Sequence, residues 1–340
     1  MKAVRTDSEL ECPRIDAGLR DRGLELVTLP EAVSEDRLVA EVADAELLLM
    51  CYTPITARVI EAARRLRGIV KYGVGIDAID IEAARKRRMP VVNVPEYAEE
   101  TVAEGAFAHI LALARKLGPL LEVMKSDGWA WPTPRWLGAD LAGKTLGLVG
   151  VGRIGRSLAR MAGAGFRMRV IGYDPFVDAA SMRRAGVEKC DLLPGLLSAS
   201  DFVSLHAVLN ADTRHLIGRL ELERMKRSAF LINVSRGALV DEAALVEVLL
   251  AGRIAGAGLD VFCQEPLALS GHPLSPLIGL RNVLLTPHLT FYTDEAMGRL
   301  EEETLQRCDE MLEGRPVLVK SWDPRLRSQA HGVLFEAARA

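Results

Sequence analysis

Residues 144–156 read KTLGLVGVGRIGR, and this stretch contains the strongest local indication of the fold class. An apolar run of strand length, Thr145–Val149, leads into Gly150, Gly152 and Gly155, which stand in the order G-x-G-x-x-G before a helix-like stretch. In such a turn the first glycine permits a sharp bend and the second lets a pyrophosphate approach the backbone. The third lets the helix pack on the strand, and the helix N-terminus offers N–H groups to the anion. The pattern predicts a dinucleotide-binding turn.

A carboxylate stands at the position that this prediction requires. A second strand-like run, residues 168–173, ends at Asp174, nineteen residues after Gly155. A carboxylate there accepts hydrogen bonds from a ribose and repels a 2′-phosphate. The alternative is a glycine-rich turn beside an exposed aspartate. Strand, glycines and acid agree, so the sequence favours a dinucleotide site that prefers NAD to NADP.

Length and composition limit the class of protein. The 340 residues suffice for two domains, and 49% hydrophobic and 26% charged residues are globular values. A net charge of −3 gives no general attraction to nucleic acid or to a membrane, and no apolar run is long enough to span a bilayer. The five dispersed cysteines predict reduced thiols in a cytoplasmic protein, without a metal site.

Strand and helix signals alternate along most of the chain, which favours an α/β fold with parallel sheets. The strand-like runs are Leu24–Leu29, Ala45–Cys51, Gly68–Tyr72, Val91–Val94 and six more that start at Thr145, Met168, Phe202, Ala229, Gly256 and Val283. The helical runs before residue 95 are Ser34–Ala43, Thr56–Arg67 and Ile81–Arg88. A long helix, Thr293–Glu313, is expected to return to the first domain, which makes that domain discontinuous.

The region between the two series of strands predicts a connecting arm. A long apolar helix is expected over Thr101–Leu117, followed by a loop over residues 118–141. This loop carries Trp129, Trp131 and Trp136. Exposed tryptophans on an arm suggest burial in a partner subunit, whereas packing on their own domain is the alternative.

Three ionisable residues stand at or just past late strand ends: Arg236, Glu265 and His288. The carboxyl ends of parallel strands share one edge, where a dinucleotide would lie. A hydride transfer between a nicotinamide and a 2-hydroxy acid needs a cation for the substrate carboxylate, an acid/base near neutral pH and a carboxylate that orients this base. Taken singly, the arginine could be a helix cap or phosphate ligand, and the other two ordinary loop residues. Their shared position favours the catalytic interpretation.

The motifs together resemble the D-isomer-specific 2-hydroxyacid dehydrogenases of the phosphoglycerate-dehydrogenase type. The matching motifs are Tyr72-Gly-Val-Gly-Ile-Asp-Ala-Ile-Asp80, Thr101-Val-Ala-Glu104, the glycine turn with Asp174, Asn233-Val-Ser-Arg-Gly-Ala-Leu-Val-Asp241, Gly258-Leu-Asp-Val-Phe262, Glu265-Pro266 and Thr286-Pro-His288. The resemblance covers nearly the whole chain. It implies two Rossmann- or flavodoxin-like domains with a cleft between them: a substrate domain of residues 1–98 plus 290–340 and an NAD-binding domain of residues 99–289. It also implies a homodimer.

The resemblance implies a role for each matching residue. His288 is the acid/base, Glu265 supports it, and Arg236 binds the carboxylate and carbonyl of a small 2-oxo or 2-hydroxy acid. Backbone amides of Val74 and Gly75 also meet the carboxylate. The implied cofactor contacts are those of Gly150, Gly152, Arg153, Ile154 and Gly155 with the pyrophosphate, Asp174 with the ribose, Ala207 and Val234 with the nicotinamide, and Asp260 with its carboxamide.

Departures from the family leave the substrate open. Met50 stands where phosphoglycerate dehydrogenases often carry a phosphate-binding arginine, which argues against 3-phosphoglycerate, although Lys71 keeps a cation that could meet a second anion. The segment around His288 is similar to the C-terminal-binding-protein branch, in which Phe291 would lie near the substrate; it could equally be interdomain core. This similarity implies an alternative function, an NAD(H)-sensing binding protein with little or no turnover.

Overall fold

The computed structural model describes residues 1–337 of the chain. Its internal contacts divide the chain into two units. One contains residues 1–98 together with the chain from Thr293 onward, and the other contains Glu99–Tyr292. Each unit is built around a parallel sheet of its own, of five and of seven strands respectively.

The first unit starts with strands and helices in strict alternation. They are β1 (Lys2–Arg5), α1 (Pro13–Asp21), β2 (Glu25–Thr28), α2 (Glu35–Val42), β3 (Leu47–Met50), α3 (Ala57–Ala62), β4 (Gly68–Lys71), α4 (Ile81–Lys86) and β5 (Val91–Asn93). The strand order is β2-β1-β3-β4-β5. The four predicted runs each contain a strand, but β1 was not predicted. Only two apolar residues lie between Lys2 and Arg5, and Arg5 is buried because Asp16 of α1 accepts its Nε at 2.7 Å.

Side chains cap the first turn of α2 and of α4 in this unit. Ser34 accepts the Arg37 N–H before α2, and Asp80 accepts the Ala83 N–H before α4. The helix predicted over residues 56–67 ends earlier, at Ala62. The backbone of Arg67 donates instead to the Glu46 carbonyl oxygen at 2.9 Å, so this stretch is already aligned for β4.

The second unit holds the glycine turn. Its elements are α5 (Glu99–Ala114), α6 (Leu117–Ser126), β6 (Thr145–Val149), α7 (Arg153–Arg160), β7 (Arg169–Tyr173), α8 (Ala179–Arg184), β8 (Glu188–Lys189), α9 (Leu193–Ala199), β9 (Phe202–Leu205), α10 (Arg219–Arg224), β10 (Phe230–Asn233), α11 (Glu242–Leu250), β11 (Gly256–Leu259) and β12 (Val283–Leu285). The six predicted strands are present. A seventh, β8, was missed because it has two residues and only pairs with β7.

The strand order of the second sheet is β12-β11-β10-β9-β6-β7-β8, and every pair is parallel. The chain therefore builds outward from β6 on one side and then returns to build outward from β9 on the other. The point between β6 and β9 is the topological switch point, and ligands of doubly wound folds bind at the carboxyl ends of the strands there. The glycine turn follows β6 directly.

The arm after α5 differs from the predicted loop. Residues 117–126 form α6, because Lys116 takes a left-handed conformation (φ 53°) that ends one helix and Pro119 fits the first turn of the next. No residue of α6 is buried. Trp129 and Trp131 beyond it are 61% and 76% exposed and contact each other edge to face. These two side chains therefore do not pack into the unit that carries them.

The chain then returns to the first unit with α12 (Asp294–Leu312), followed by β13 (Val317–Val319), α13 (Pro324–Arg327) and β14 (Val333–Phe335). Glu301 of α12 accepts the Arg14 N–H of α1 at 2.8 Å, and Asp309 pairs with Arg22. These contacts place the long helix beside α1. The strands β13 and β14 form a short parallel pair, and residues 338–340 lie outside the described part.

The structure also bears on disulfide bonds, membrane-spanning helices and metal sites. All five cysteines are free thiols, and Cys12, Cys51 and Cys308 are buried. Within residues 1–337 no helix combines the length and apolarity needed to cross a membrane. The same residues contain no group of three or more His, Cys, Asp or Glu side chains that could hold a metal ion.

Candidate active site

The glycine turn has the shape that a pyrophosphate needs. Gly150 has a φ of 94°, and a Cβ there would stand 2.6 Å from the carbonyl carbon of His206. A Cβ on Gly155 would stand 2.5 Å from the Gly150 oxygen, so this position lets α7 pack on the turn. A Cβ on Gly152 would meet nothing within 4 Å. The space above Gly152 is therefore open at the N-terminus of α7, where Arg153 and Ile154 begin the helix.

Asp174 is fixed beside this turn. Its Oδ2 accepts the Val151 N–H and its Oδ1 accepts the Phe176 N–H, each at 2.9 Å. A carboxylate has about four acceptor positions, so roughly two remain for the hydroxyls of a ribose. The glycines, the helix N-terminus and this carboxylate together fit the diphosphate and ribose of NAD.

The loops after β9 and β10 are joined to one another. The Ser235 hydroxyl donates to the Ala207 carbonyl oxygen at 2.9 Å, and Val234 lies buried beside it. His206 supports this edge as a neutral side chain, because burial lowers its pKa to about 4. Its Nε2 lies 2.8 Å from the Ser204 hydroxyl. The loops that carry Ala207 and Val234, for which nicotinamide contacts were predicted, are thus joined at the sheet edge that contains the switch point.

Arg236 leaves the end of β10 on a short, braced turn. The side-chain amide of Asn233 donates to the Arg236 carbonyl oxygen at 2.8 Å, while its oxygen accepts the Ser235 N–H. The next residue, Gly237, is in direct contact with the loop after β11. A Cβ on Gly237 would stand 2.1 Å from the carbonyl carbon of Phe262. A glycine is required here for the arginine loop and the glutamate loop to touch.

Glu265 is held in that second loop by backbone donors. Its Oε1 accepts the Phe262 N–H at 2.9 Å, and Glu242 at the start of α11 accepts the Cys263 N–H at 2.7 Å. Burial by itself would raise the pKa of Glu265. The hydrogen bond and charge of His288, with smaller effects from the Phe262 N–H and Arg236, outweigh burial and lower the pKa. The carboxylate is therefore ionised at neutral pH.

His288 meets Glu265 directly. Its Nδ1 lies 2.8 Å from Oε2 of the carboxylate. The carboxylate can only accept, so Nδ1 carries the hydrogen. His288 has a φ of 57°, and its ring meets the Phe291 ring edge to face at 6.3 Å between centroids. Phe291 itself is buried.

Asp260 lies at the end of β11 with a fully buried carboxylate. It accepts hydrogen bonds from Thr286, Leu289 and Thr290, on both sides of His288. The family resemblance implied a role for Asp260 toward the nicotinamide carboxamide, and these bonds were not predicted. The T-P-H motif was the available signal, since it set a hydroxyl two residues before the histidine.

The predicted substrate residues of the first unit follow β4. Lys71 is buried, and its ammonium donates to the Cys51 carbonyl oxygen at 2.5 Å and lies 5.3 Å from the centre of the Tyr52 ring. The turn after it is fixed at Val74, whose carbonyl oxygen accepts the Asn93 amide. Gly75 follows on the same turn at the carboxyl edge of this sheet.

Comparison with known proteins agrees with this geometry. Residues 107–290 match the family model of the NAD-binding domain of D-isomer-specific 2-hydroxyacid dehydrogenases. A glyoxylate reductase from Korarchaeum cryptofilum is 44% identical over 272 residues, which are 79% of this chain and 80% of the relative. A D-3-phosphoglycerate dehydrogenase from Methanocaldococcus jannaschii is 37% identical over 85% of this chain and 54% of its own length. The D-lactate dehydrogenase of Aquifex aeolicus, solved with NAD and lactic acid, has a TM-score of 0.81 at 30% identity and covers 92% of this chain and 96% of its own.

A doubly wound domain with a dinucleotide turn and a histidine–carboxylate pair at the same edge defines a nicotinamide-dependent oxidoreductase. The chain belongs to the D-isomer-specific 2-hydroxyacid dehydrogenase family. It is an NAD-dependent oxidoreductase that interconverts 2-oxo and 2-hydroxy acids. The relatives favour this activity over the NAD(H)-sensing alternative that the segment around His288 suggested.

Proposed function

We propose that the enzyme reduces a small 2-oxo acid to the D-2-hydroxy acid, and catalyses the reverse, with His288 as proton donor and acceptor. The contact between His288 Nδ1 and Glu265 Oε2, at 2.8 Å, carries this proposal. This contact holds a hydrogen on Nδ1, and we assign the proton exchange with the substrate oxygen to Nε2. When bound, NADH would supply the hydride for the reduction and NAD would accept it in the oxidation.

The charges of the pair suit both directions. In the reduction, the protonated imidazole gives the Nε2 hydrogen to the carbonyl oxygen of the substrate, and the ionised Glu265 stabilises the imidazolium before the transfer. In the oxidation, the neutral imidazole accepts the hydroxyl proton at Nε2, and the same carboxylate stabilises the cation that forms. The lowered pKa of Glu265 keeps its charge available in both directions.

Arg236 is proposed to hold the substrate carboxylate and to polarise the carbonyl group. A guanidinium suits this task because its planar donors match a carboxylate in a bidentate way. The Asn233 bond to its carbonyl oxygen and the contact of Gly237 with Phe262 support the role, since they fix the arginine backbone against the Glu265 loop. Backbone amides of Val74 and Gly75 are proposed to complete the carboxylate site.

The cofactor contacts are proposed as the sequence predicted them. The α7 N-terminus with Arg153 and Ile154 binds the pyrophosphate, and Ala207, Val234 and Asp260 face the nicotinamide. Asp174 binds the adenosine ribose and favours NAD over NADP, because a 2′-phosphate would meet its negative charge. The two fixed N–H donors to this carboxylate support the discrimination, since they keep it from turning away.

The substrate class is proposed to be short 2-oxo acids. Relatives named glyoxylate reductase and hydroxypyruvate reductase match over 79% to 83% of this chain and 80% to 90% of their own length. The buried ammonium of Lys71 is placed to meet a second polar or anionic group of the substrate. Phe291 is proposed to limit the pocket on the side of His288, whose ring it already contacts.

A homodimer is proposed to form through the arm that contains α6. The arm exposes an apolar surface made of Leu121, Met124, Trp129, Trp131 and Leu137. A surface of this kind on an enzyme of the cytoplasm, where we place this chain with its five free thiols, is suited to a second copy. Light scattering of the wild-type protein and of Trp131→Ser tests the dimer.

The activity is tested by NADH oxidation with a panel that includes glyoxylate, hydroxypyruvate, pyruvate, branched, aromatic and phosphorylated 2-oxo acids. His288→Asn is expected to lower kcat by roughly 100-fold or more while the Kd for NADH is unchanged. His215→Asn is the matched control, because both histidines have positive φ (57° and 53°) and asparagine tolerates that conformation. Full turnover in His288→Asn would remove His288 from the mechanism.

A further inference from the structure

A buried histidine outside the recognised motifs connects to the segment that carries His288. His109 lies on α5 and is 4% exposed. Its Nδ1 is 2.8 Å from the Gly105 carbonyl oxygen, and its Nε2 is 3.0 Å from the Thr286 hydroxyl. The same hydroxyl is 2.5 Å from Oδ1 of Asp260. Imidazole, hydroxyl and carboxylate therefore form one continuous chain of hydrogen bonds.

The carboxylate at the end of this chain holds both sides of the His288 segment. Oδ1 of Asp260 also accepts the Leu289 N–H at 3.1 Å. Oδ2 accepts the Thr290 N–H at 3.0 Å and the Thr290 hydroxyl at 2.7 Å. Thr286 lies two residues before His288, and Leu289 and Thr290 directly follow it. The backbone position of His288 is thus set by Asp260.

Two glycines on different elements make room for this network. A Cβ on Gly258 of β11 would stand 2.9 Å from Cδ2 of His109. A Cβ on Gly105 of α5 would stand 2.6 Å from Cβ of Thr290. A side chain at either position would displace the histidine or the threonine. The close packing shows that α5 is fitted to the segment 286–290 and does not merely lie near it.

The hydrogen count determines the protonation of His109. The Gly105 oxygen only accepts, so Nδ1 carries a hydrogen. The Thr286 hydroxyl has one hydrogen and donates it to Oδ1 of Asp260, a carboxylate that also receives three other donors. The hydroxyl therefore has only lone pairs for His109, and Nε2 must also donate. Among the described residues no lysine or arginine pairs with Asp260, so an imidazolium would also balance the buried charge.

We propose that His109 is a positioning residue, protonated on both ring nitrogens, which acts through Thr286 and Asp260 to hold His288 in its catalytic place. The inference rests on the proposed role of His288. The positive charge of His109 and the negative charge of Asp260 are joined by one hydroxyl, and the pair fixes the backbone of the loop. Two carboxylates thus act on His288, one through its ring and one through its backbone.

The kinetic test compares two substitutions of Thr286. Thr286→Val keeps the shape but removes the hydroxyl, and it is expected to lower kcat roughly 10- to 100-fold with the Kd for NADH unchanged. Thr286→Ser restores the hydroxyl and is expected to recover most of kcat. Thr145→Val, a change of a buried threonine on β6, controls for the loss of a hydroxyl elsewhere in the unit. Equal kcat in Thr286→Val and Thr286→Ser would overturn the proposal.

The charge is tested directly and without turnover. Nitrogen NMR of wild-type protein labelled in its histidines is expected to show both ring nitrogens of His109 protonated at neutral pH, with the signals assigned by their loss in His109→Gln. One unprotonated nitrogen would overturn the proposed imidazolium, whether or not the Thr286 variants fold. The variant His288→Asn separates failure of the proposed function from failure of this inference. Retained turnover in His288→Asn rejects the role of His288. Lost turnover in His288→Asn together with full activity in Thr286→Val rejects only the positioning role of His109.

Discussion

Replacing Glu265 by glutamine removes the charge next to His288 and keeps the size of the side chain. The carboxylate now serves two donors, the Phe262 N–H at 2.9 Å and the His288 Nδ1 at 2.8 Å. A glutamine has one oxygen and one NH₂ group, so it can accept only one of the two. If its oxygen stays with Phe262, its NH₂ faces Nδ1 and favours the tautomer in which Nδ1 accepts. In the other orientation its oxygen accepts the Nδ1 hydrogen, so in both orientations the imidazolium loses a negatively charged partner.

The size of the effect follows from the lost hydrogen bond. A hydrogen bond to a charged group contributes about 1.5–3 kcal/mol, which corresponds to roughly a 10- to 100-fold decrease in kcat. Because Glu265 stabilises the protonated form of the pair, its loss favours the neutral imidazole. The high-pH decline of the reduction, which needs the acid, is expected to move to lower pH. The low-pH decline of the oxidation, which needs the base, is expected to move in the same direction.

The assay measures kcat and kcat/KM for NADH-dependent reduction and for NAD-dependent oxidation across pH, on wild type and Glu265→Gln. Glu247→Gln is the control, because Glu247 is an exposed glutamate of α11 that pairs with Arg219. If kcat falls while both pH profiles keep their positions, then Glu265 only shapes the loop and the electrostatic argument is refuted.

Three further predictions follow from other contacts. Gly237→Ala is expected to lower kcat about 100-fold, because its Cβ would meet the Phe262 backbone at 2.1 Å. The control is Gly195→Ala, on the exposed side of α9, where a Cβ meets nothing within 4 Å. Equal activities of the two variants would contradict the required contact. Asp174→Ala is expected to reduce the preference for NAD over NADP, measured as the ratio of the two kcat/KM values, roughly 10- to 100-fold. Asp178→Ala is the charge control. An unchanged ratio in Asp174→Ala would show that other residues cause the preference. His206 has a pKa lowered to about 4 in the folded protein, so between that value and about 6.5 the unfolded chain binds the extra proton and stability falls as pH falls. Urea unfolding is expected to show about 2 kcal/mol less stability at pH 5 than at pH 7 from this group, and His206→Gln should lack that part of the loss; an identical slope in the variant would show that other groups cause it.

Much of the second unit could be predicted because its signals are local. The turn at Gly150 needs a positive φ and the position of Gly155 needs a missing Cβ, and both requirements appear in the sequence as glycine. Asp241 likewise caps α11, and such a cap depends only on residues three apart. Glu265 and His288 were placed at strand ends by pattern alone, and the structure brings their side chains into contact.

The errors arise where distant residues decide the local structure. The strand β1 looks polar in sequence, and only the pairing of Arg5 with Asp16 buries it. The helix α3 is shorter than its apolar pattern, because the backbone of Arg67 pairs with Glu46. The strand β8 consists of two residues that pair with β7, which no local pattern records. In the arm, the apolar residues of α6 stay exposed, so no buried face revealed that helix.

The class of fold, the dinucleotide turn and the three ionisable residues at strand ends could be inferred from the residues alone, because glycines, alternation of strands and helices, and short motifs act over a few residues. How these residues are held depends on contacts that form only in the folded chain. Gly237 against Phe262, and His109 bonded to Thr286 beside Asp260, join positions far apart in the chain. Such contacts depend on the side-by-side pairing of β10, β11 and β12 in one sheet that packs against α5. Hydrogen bonds between residues so far apart in the chain leave no periodic pattern in the sequence.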